Sequence, residues 1–226
     1  MITADLSYDD YNKIITCNYS AEQYCDELMA VPENYANTEL RNLVEALRMY
    51  AVCNTAATWS DTTGHVGTYL KEGQTYWGEY TDAEMIASVL EGLGDEAGMQ
   101  VDVGTTELSD VMISLTLKED TTINLYVRPG APSITAFVGS FKIVNGLDYF
   151  VFRGENKGPA ALGEATVFEI QTTAGTATVT ASPMSYVASY LNAFGQNESK
   201  IDNCRAMIAL YQYYRAAQAY NNALQN

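Results

Sequence analysis

Few residues in this chain are of a type and spacing that could carry chemistry. One histidine, His65, lies in the glycine-bearing segment DTTGHVGTY. As a general base it would need an orienting acid and a nucleophile within hydrogen-bond reach, and the spacing signals neither. Carboxylates are plentiful, with 28 Asp and Glu in 226 residues, and a glycosidase needs two that flank a scissile bond. The conspicuous pairs, Asp9 with Asp10 and Asp95 with Glu96, fall at expected turns and helix ends, where solvation and capping account for them. Asp5, Asp9 and Asp10 lack the glycine and terminal glutamate of a calcium loop. The segment GLGDEAG at 92–98 has neither the G-x-G-x-x-G spacing nor the Lys-Ser/Thr pair of a phosphate loop. No catalytic set, metal site or cofactor is therefore expected.

Four cysteines, Cys17, Cys25, Cys53 and Cys204, show no C-x-x-C pairing and no nearby His, which argues against zinc. Cys25 and Cys53 fall on successive predicted helices, so a Cys25–Cys53 disulfide forms if the two pack antiparallel. The alternative is a pair of small buried thiols. The aromatic residues carry more signal. Tyr69, Tyr76, Trp77 and Tyr80 gather in a segment that reads as a surface loop. Flat apolar faces beside polar groups suit stacking on sugar rings or anchoring a protein partner. In the competing reading, the loop folds back and Trp77 covers the sheet.

Composition narrows the partners. With 47% hydrophobic and 18% charged residues the chain reads as globular. A formal charge of -16 repels nucleic-acid phosphates and anionic lipid surfaces. No stretch reaches the roughly 20 apolar residues that span a bilayer, so direct membrane insertion is not expected. The start of the chain has no basic segment followed by an apolar one, so no signal peptide is expected there.

The elements that position these residues are written twice. A strand-like run, a serine, a short helix with an internal tyrosine and a long Ala/Tyr helix occupy 14–57 and return at 177–220. Ser20 and Tyr24 correspond to Ser182 and Tyr186, 162 residues on, and Ala46 and Tyr50 to Ala209 and Tyr213, 163 residues on. In the first long helix Leu40, Leu43, Leu47 and Tyr50 recur at helical spacing opposite Glu39, Arg41, Glu45 and Arg48. In the second, Ile201, Cys204, Ile208, Tyr211 and Ala216 or Ala217 form the apolar side. Between the copies, 59–80 reads as a long loop, and Asp82 caps a helix, DAEMIASVLEGL, that Gly92 and Gly94 close. From Leu108 the period becomes two. Val111, Ile113, Leu115 and Leu117 lead to a turn at Glu119 and Asp120, and Ile123, Leu125 and Val127 return. Further strands are predicted at 134–138, 141–144, 149–153, 165–172 and 176–181, with connections too short for crossover helices. Ser182 and Pro183 supply the cap and first position of the next helix.

The expected fold is thus α+β, a single module over 1–226 in which an antiparallel β-sheet or sandwich is flanked by two pseudo-symmetric helical hairpins. Its parts are a first helical hairpin at 20–58, an insertion at 59–100, a β-rich centre at 108–181 and a second hairpin at 182–222. The two long helices should pack together, with Leu43, Leu47 and Tyr50 facing Ala206, Leu210 and Tyr213.

LVEALRMYAVCNTAATW, and with it MIALYQYYRAAQAYNNAL, resembles a recurrent module of large secreted and cell-surface proteins of Gram-positive gut anaerobes. Copies of that module end in a helix of the form L-V-x-A-L/M-x-x-Y-x-x-A-A-x-x-Y. ASPMSYVASYLN is similar to the family's short S-P-L-S-Y helix. SLTLKEDTTINLYV is similar to its hairpin of alternating aliphatics, and DYFVFRGENKGPAALGEATVFEI to the strand and return that follow. The resemblance covers 14–59 and 108–223; the stretch from 59 to about 100 is longer than the family usually has. It implies an extracellular module that adjoins leucine-rich repeats, Ig-like domains or dockerins, with those neighbouring domains as partners, and it brings no activity or catalytic residues. The function expected is a non-catalytic, structural or protein-binding role outside the cell. The alternative is a carbohydrate-binding module that uses Tyr69, Tyr76, Trp77 and Tyr80.

Overall fold

Alternation and capping in the sequence translate directly into strands and helix starts. The computed structural model describes residues 2–8, 13–19, 21–63, 70, 72–94, 98–104, 108–116, 121–129, 134–136, 140–144 and 147–225. The chain folds as an α+β protein whose described strands all pair antiparallel. A hairpin of β1 (Ile2–Tyr8) and β2 (Lys13–Tyr19) leads into helices α1 (Ala21–Ala30), α2 (Pro32–Ala36) and α3 (Thr38–Thr63). After α4 (Asp82–Leu93) come β3 (Gln100–Asp102), β4 (Leu108–Thr116), β5 (Thr121–Pro129), β6 (Ile134–Ala136), β7 (Ser140–Val144), β8 (Leu147–Lys157), β9 (Thr166–Thr172) and β10 (Gly175–Ala181). Helices α5 (Pro183–Phe194) and α6 (Ile201–Leu224) close the chain. Among the described residues no helix is long and apolar enough to cross a membrane.

Of the two expected β arrangements the chain adopts the sandwich. One sheet runs β3-β10-β9-β6, the other β4-β5-β8-β7. Ile123, Leu125 and Val127 of β5 and Phe152 of β8 meet Phe168, Ile170, Ala177 and Val179 of the facing sheet in one apolar core. The register follows the period-two pattern, with Ile113 opposite Leu125 and Leu115 opposite Ile123; Leu117, Glu119 and Asp120 lie outside the described residues. The β5–β8 register shifts between Thr122 and Asn124. Gly154 lies close to that irregularity, and a Cβ there would stand 2.7 Å from the Ile123 carbonyl oxygen, so only glycine fits.

The repeat is longer than the helices alone. Each copy of short and long helix follows a hairpin, β1–β2 in the first and β9–β10 in the second. Ser182 caps α5, its side chain accepting from the Ser185 backbone while Ser185 Oγ accepts from the Ser182 N–H; its counterpart Ser20 lies outside the described residues. Asp61 near the end of α3 accepts from Lys200 and Asn203 at the start of α6. Midway along, Tyr50 stacks on Tyr213 with centroids 6.0 Å apart and rings 9° from parallel. The long helices are therefore antiparallel. Tyr50 and Tyr213 correspond at the 163-residue spacing, so the stack pairs like with like.

Two expectations need correction here. Leu43 and Leu47 do not enter the shared core; Met49, Tyr50, Cys53 and Ala57 pack there with Ala206, Ala209 and Leu210. The α3 positions that reach this core mix two large side chains, Met49 and Tyr50, with two small ones, Cys53 and Ala57. The segment 59–80 is not all loop, since α3 continues to Thr63 and carries Trp59 and Asp61.

Burial, with the neighbouring Tyr213 hydroxyl adding to it, pushes the Tyr50 phenol up to about 12; burial also raises Tyr213. Each folded pKa lies above the unfolded value, so their contribution is complete below about pH 10. Stability should hold to about pH 9 and fall between roughly pH 10 and 12. A double-mutant cycle with Tyr50→Leu and Tyr213→Leu, read by urea unfolding at pH 7, should show a coupling of about 0.5–1.5 kcal/mol. Strict additivity would mean that the stack contributes nothing.

Candidate functional site

Asp82 decides where the aromatic segment goes. Thr81, and not Asp82, caps α4: its hydroxyl accepts from the Glu84 backbone, and the Glu84 carboxylate accepts from the Thr81 N–H. Asp82 is thereby free to face the interior. Its Oδ1 accepts from the Trp77 indole at 2.7 Å, and its two oxygens take Arg205 Nε at 3.1 and 3.2 Å and Nη2 at 2.8 Å. Arg205 also donates to Asp202 at 3.1 Å and lies over the Tyr76 ring, 4.3 Å from its centroid. Burial opposes the guanidinium charge, but the Asp82 hydrogen bonds, helped by the charges of Asp82, Tyr76 and Asp202, outweigh it and raise Arg205 above its ordinary value.

This network overturns the aromatic-loop site. Trp77 is 9% exposed and belongs to the helical core with Ile86, Val89 and Leu210, so its ring faces are not available to a sugar. Tyr76 is half-buried beside it. Tyr80 stands 67% exposed. Tyr69 lies outside the described residues, as do His65, Asp9, Asp10, Asp95 and Glu96; Asp5 is placed on β1, with nothing described of its side chain. The Cys25–Cys53 disulfide does not form; both are buried free thiols, as is Cys204. Cys25 on α1 and Cys53 on α3 are each closed to solvent and fill space as small apolar side chains. Burial chiefly pushes the thiols up, Cys53 to about 12 and Cys204 to about 11. Both stay protonated at neutral pH and are poor nucleophiles. Among the described residues no group of three or more His, Cys, Asp or Glu is placed to hold a metal ion.

A concave site does form elsewhere, at the junction of the helices with the sheet. A cleft of about 340 Å³ opens between the C-terminal turn of α4, Gln100 at the start of β3, the end of β10, the first turn of α5, and Tyr211, Tyr214 and Arg215 of α6. Two glycines make room for it. A Cβ on Gly92 would lie 2.2 Å from the Tyr211 hydroxyl, and one on Gly163 2.4 Å from that of Tyr214. Each hydroxyl has a donor one helical turn on: Arg215 Nη1 donates to Tyr211 at 3.3 Å, and Gln218 Nε2 to Tyr214 at 2.8 Å. These are i,i+4 pairs on one face of α6. Arg215 and Tyr211 also border a shallow groove against α3, lined by Asn42, Glu45, Met49 and Tyr76. The sequence offers the pattern Tyr-x-x-Tyr-Arg-x-x-Gln at 211–218. Read alone, it suggests core tyrosines, because the glycines that admit the hydroxyls are remote in the chain.

Removing Asp82 should release the anchor. Asp82→Ala leaves a mostly buried guanidinium unpaired and the Trp77 N–H without its acceptor, at a cost of about 2 kcal/mol, below the 3–5 of full burial because both side chains retain some exposure. In a Trp59→Phe background, Trp77 emission should shift to the red as urea stability falls. Unchanged emission and stability would mean that apolar packing alone holds the segment.

No protein-family model matches this chain, and no curated protein or solved structure matches it at a level that shows relationship.

Proposed function

We propose that this chain is a non-catalytic extracellular module of a larger surface or secreted protein, which supports neighbouring domains and binds a ligand at the cleft between α4, β10, α5 and α6. The observation that supports binding is the cleft itself, concave and walled by side chains from both the helical layer and the sheet. Its described lining offers hydrogen-bonding groups and an arginine, and none of those residues is a carboxylate, imidazole or thiol. The set is suited to holding a ligand and poorly suited to general acid–base or nucleophilic turnover.

Carbohydrate is the second reading, moved from the aromatic loop to this surface. Tyr76 and Tyr211 border the adjoining groove together with Asn42, Glu45 and Gln212, a mixture of ring and amide groups that suits sugar hydroxyls.

Incubated with a panel of plant and host glycans and of peptides, the purified chain should show saturable binding to at least one member with no release of reducing ends or new amines. Hydrolysis of any panel member, lost in a Tyr211→Phe or Arg215→Gln variant, would make the chain an enzyme. Binding to none would leave only the supporting role.

A further inference from the structure

We propose that the cleft recognises the carboxylate of a sugar acid, such as a uronate residue of a glycan, with Arg215 as its counter-charge. The inference rests on the binding-module reading above and names the ligand class of that site. Every polar group that α6 brings to the cleft is a donor. The Tyr211 oxygen accepts from Arg215 and the Tyr214 oxygen from Gln218. With those lone pairs occupied, each phenol has its own O–H to give. Arg215 is exposed and makes no ion pair among the described residues, in a chain whose formal charge is -16. Arg48, Lys157, Lys200 and Arg205 all have carboxylate partners. A guanidinium beside two phenolic donors matches the two oxygens of a carboxylate.

The sugar is favoured over a peptide C-terminus by what the backbone withholds. Capture of a peptide carboxylate draws on a nest of free amides, and the first turn of α5 has none to give. Pro183 has no N–H, Met184 donates to the Leu162 carbonyl and Ser185 to the Ser182 hydroxyl. The remaining polar lining is side-chain amide and hydroxyl, Gln100 and Thr180, which pairs with ring hydroxyls. A volume of about 340 Å³ is at the small end of ligand sites and suits one sugar ring.

The test is a titration of the 15N-labelled chain with glucuronate, glucose, and a short acetylated peptide with a free or amidated C-terminus, following amide shifts around 98–100, 180–185 and 211–218. Glucuronate should bind saturably and glucose at least tenfold more weakly. Arg215→Gln should lose tenfold or more of the glucuronate affinity while its amide spectrum elsewhere is unchanged. Gly92→Ala, which drives the Tyr211 hydroxyl from its place, should weaken binding as well. Equal binding of glucose, indifference to Arg215→Gln, or preference for the free-acid peptide would overturn the proposal. Binding that appears only in an Asp95→Asn, Glu96→Gln variant would do so too, since Arg215 would then serve the chain's own acids. None of these results touches the module reading, which fails separately on hydrolysis.

Discussion

Helix α6 is buried on almost every side through its first half, and the helical layer depends on that burial. From Asp202 to Leu210 seven positions are closed to solvent, more than one amphipathic stripe supplies, as expected of a helix inside a layer and not on it. Its alanines let α3 approach closely on one side while α4 and α5 pack on others. The Tyr50–Tyr213 stack fixes the register of α3 against α6, and the Asp61 contacts with Lys200 and Asn203 secure the same alignment at one end. The helical core and the sheet core adjoin through Leu115 and Tyr186, which pack against both.

Against that frame the Asp82–Arg205 pair acts as a locator. A mostly buried ion pair yields little net stability, since desolvation cancels much of the attraction. It does discriminate strongly between positions, because any other placement of the 70–94 segment leaves a charge unpaired. Thr81 makes this affordable by taking the capping role itself. The same docking places the end of α4 over α6, and Gly92 is the residue that lets the Tyr211 hydroxyl reach beneath it. The cleft is thus a consequence of how the segment is anchored.

What could be read from the sequence was what local physics decides. The β4–β5 pairing follows from alternation, which turns Val111, Ile113 and Leu115 to the same face as the buried Ile123, Leu125 and Val127. The Ser182 cap follows from Ser-Pro at a helix start, and the contact between the two long helices from the repeat, although their antiparallel run does not. That Trp77 folds back was one of the two readings open to the sequence, but its place in the helical core and not over the sheet was not legible, because it depends on a carboxylate that meets its partner 123 residues away. The side of α3 that meets α6 was misread for a related reason: leucines mark an apolar stripe without saying which part of it faces the partner, and the core takes Met49, Tyr50, Cys53 and Ala57 but not Leu43 or Leu47. Nor does the pattern at 211–218 announce a cleft, since its meaning comes from Gly92 and Gly163.

The internal repeat gives an independent way to separate residues the fold requires from residues it tolerates. Tyr50 and Tyr213 agree between the copies, and they stack on each other. The cleft residues do not agree. At the spacing of 163, Tyr211, Tyr214, Arg215 and Gln218 correspond to Arg48, Ala51, Val52 and Thr55, and Arg48 is spent on Asp26. Helix α3 has 26 residues and α6 has 24, and the two pack on each other; α3 does so without that set of two tyrosines, an arginine and a glutamine at these positions. Their presence on α6 alone coincides with the one copy whose hairpin is built into a full sheet and whose long helix lies under α4. Tyr50 and Tyr213 are thus tied to the contact between the long helices, while the α6 residues at the cleft have no counterpart of the same type on α3, which leaves them open to a role in recognition.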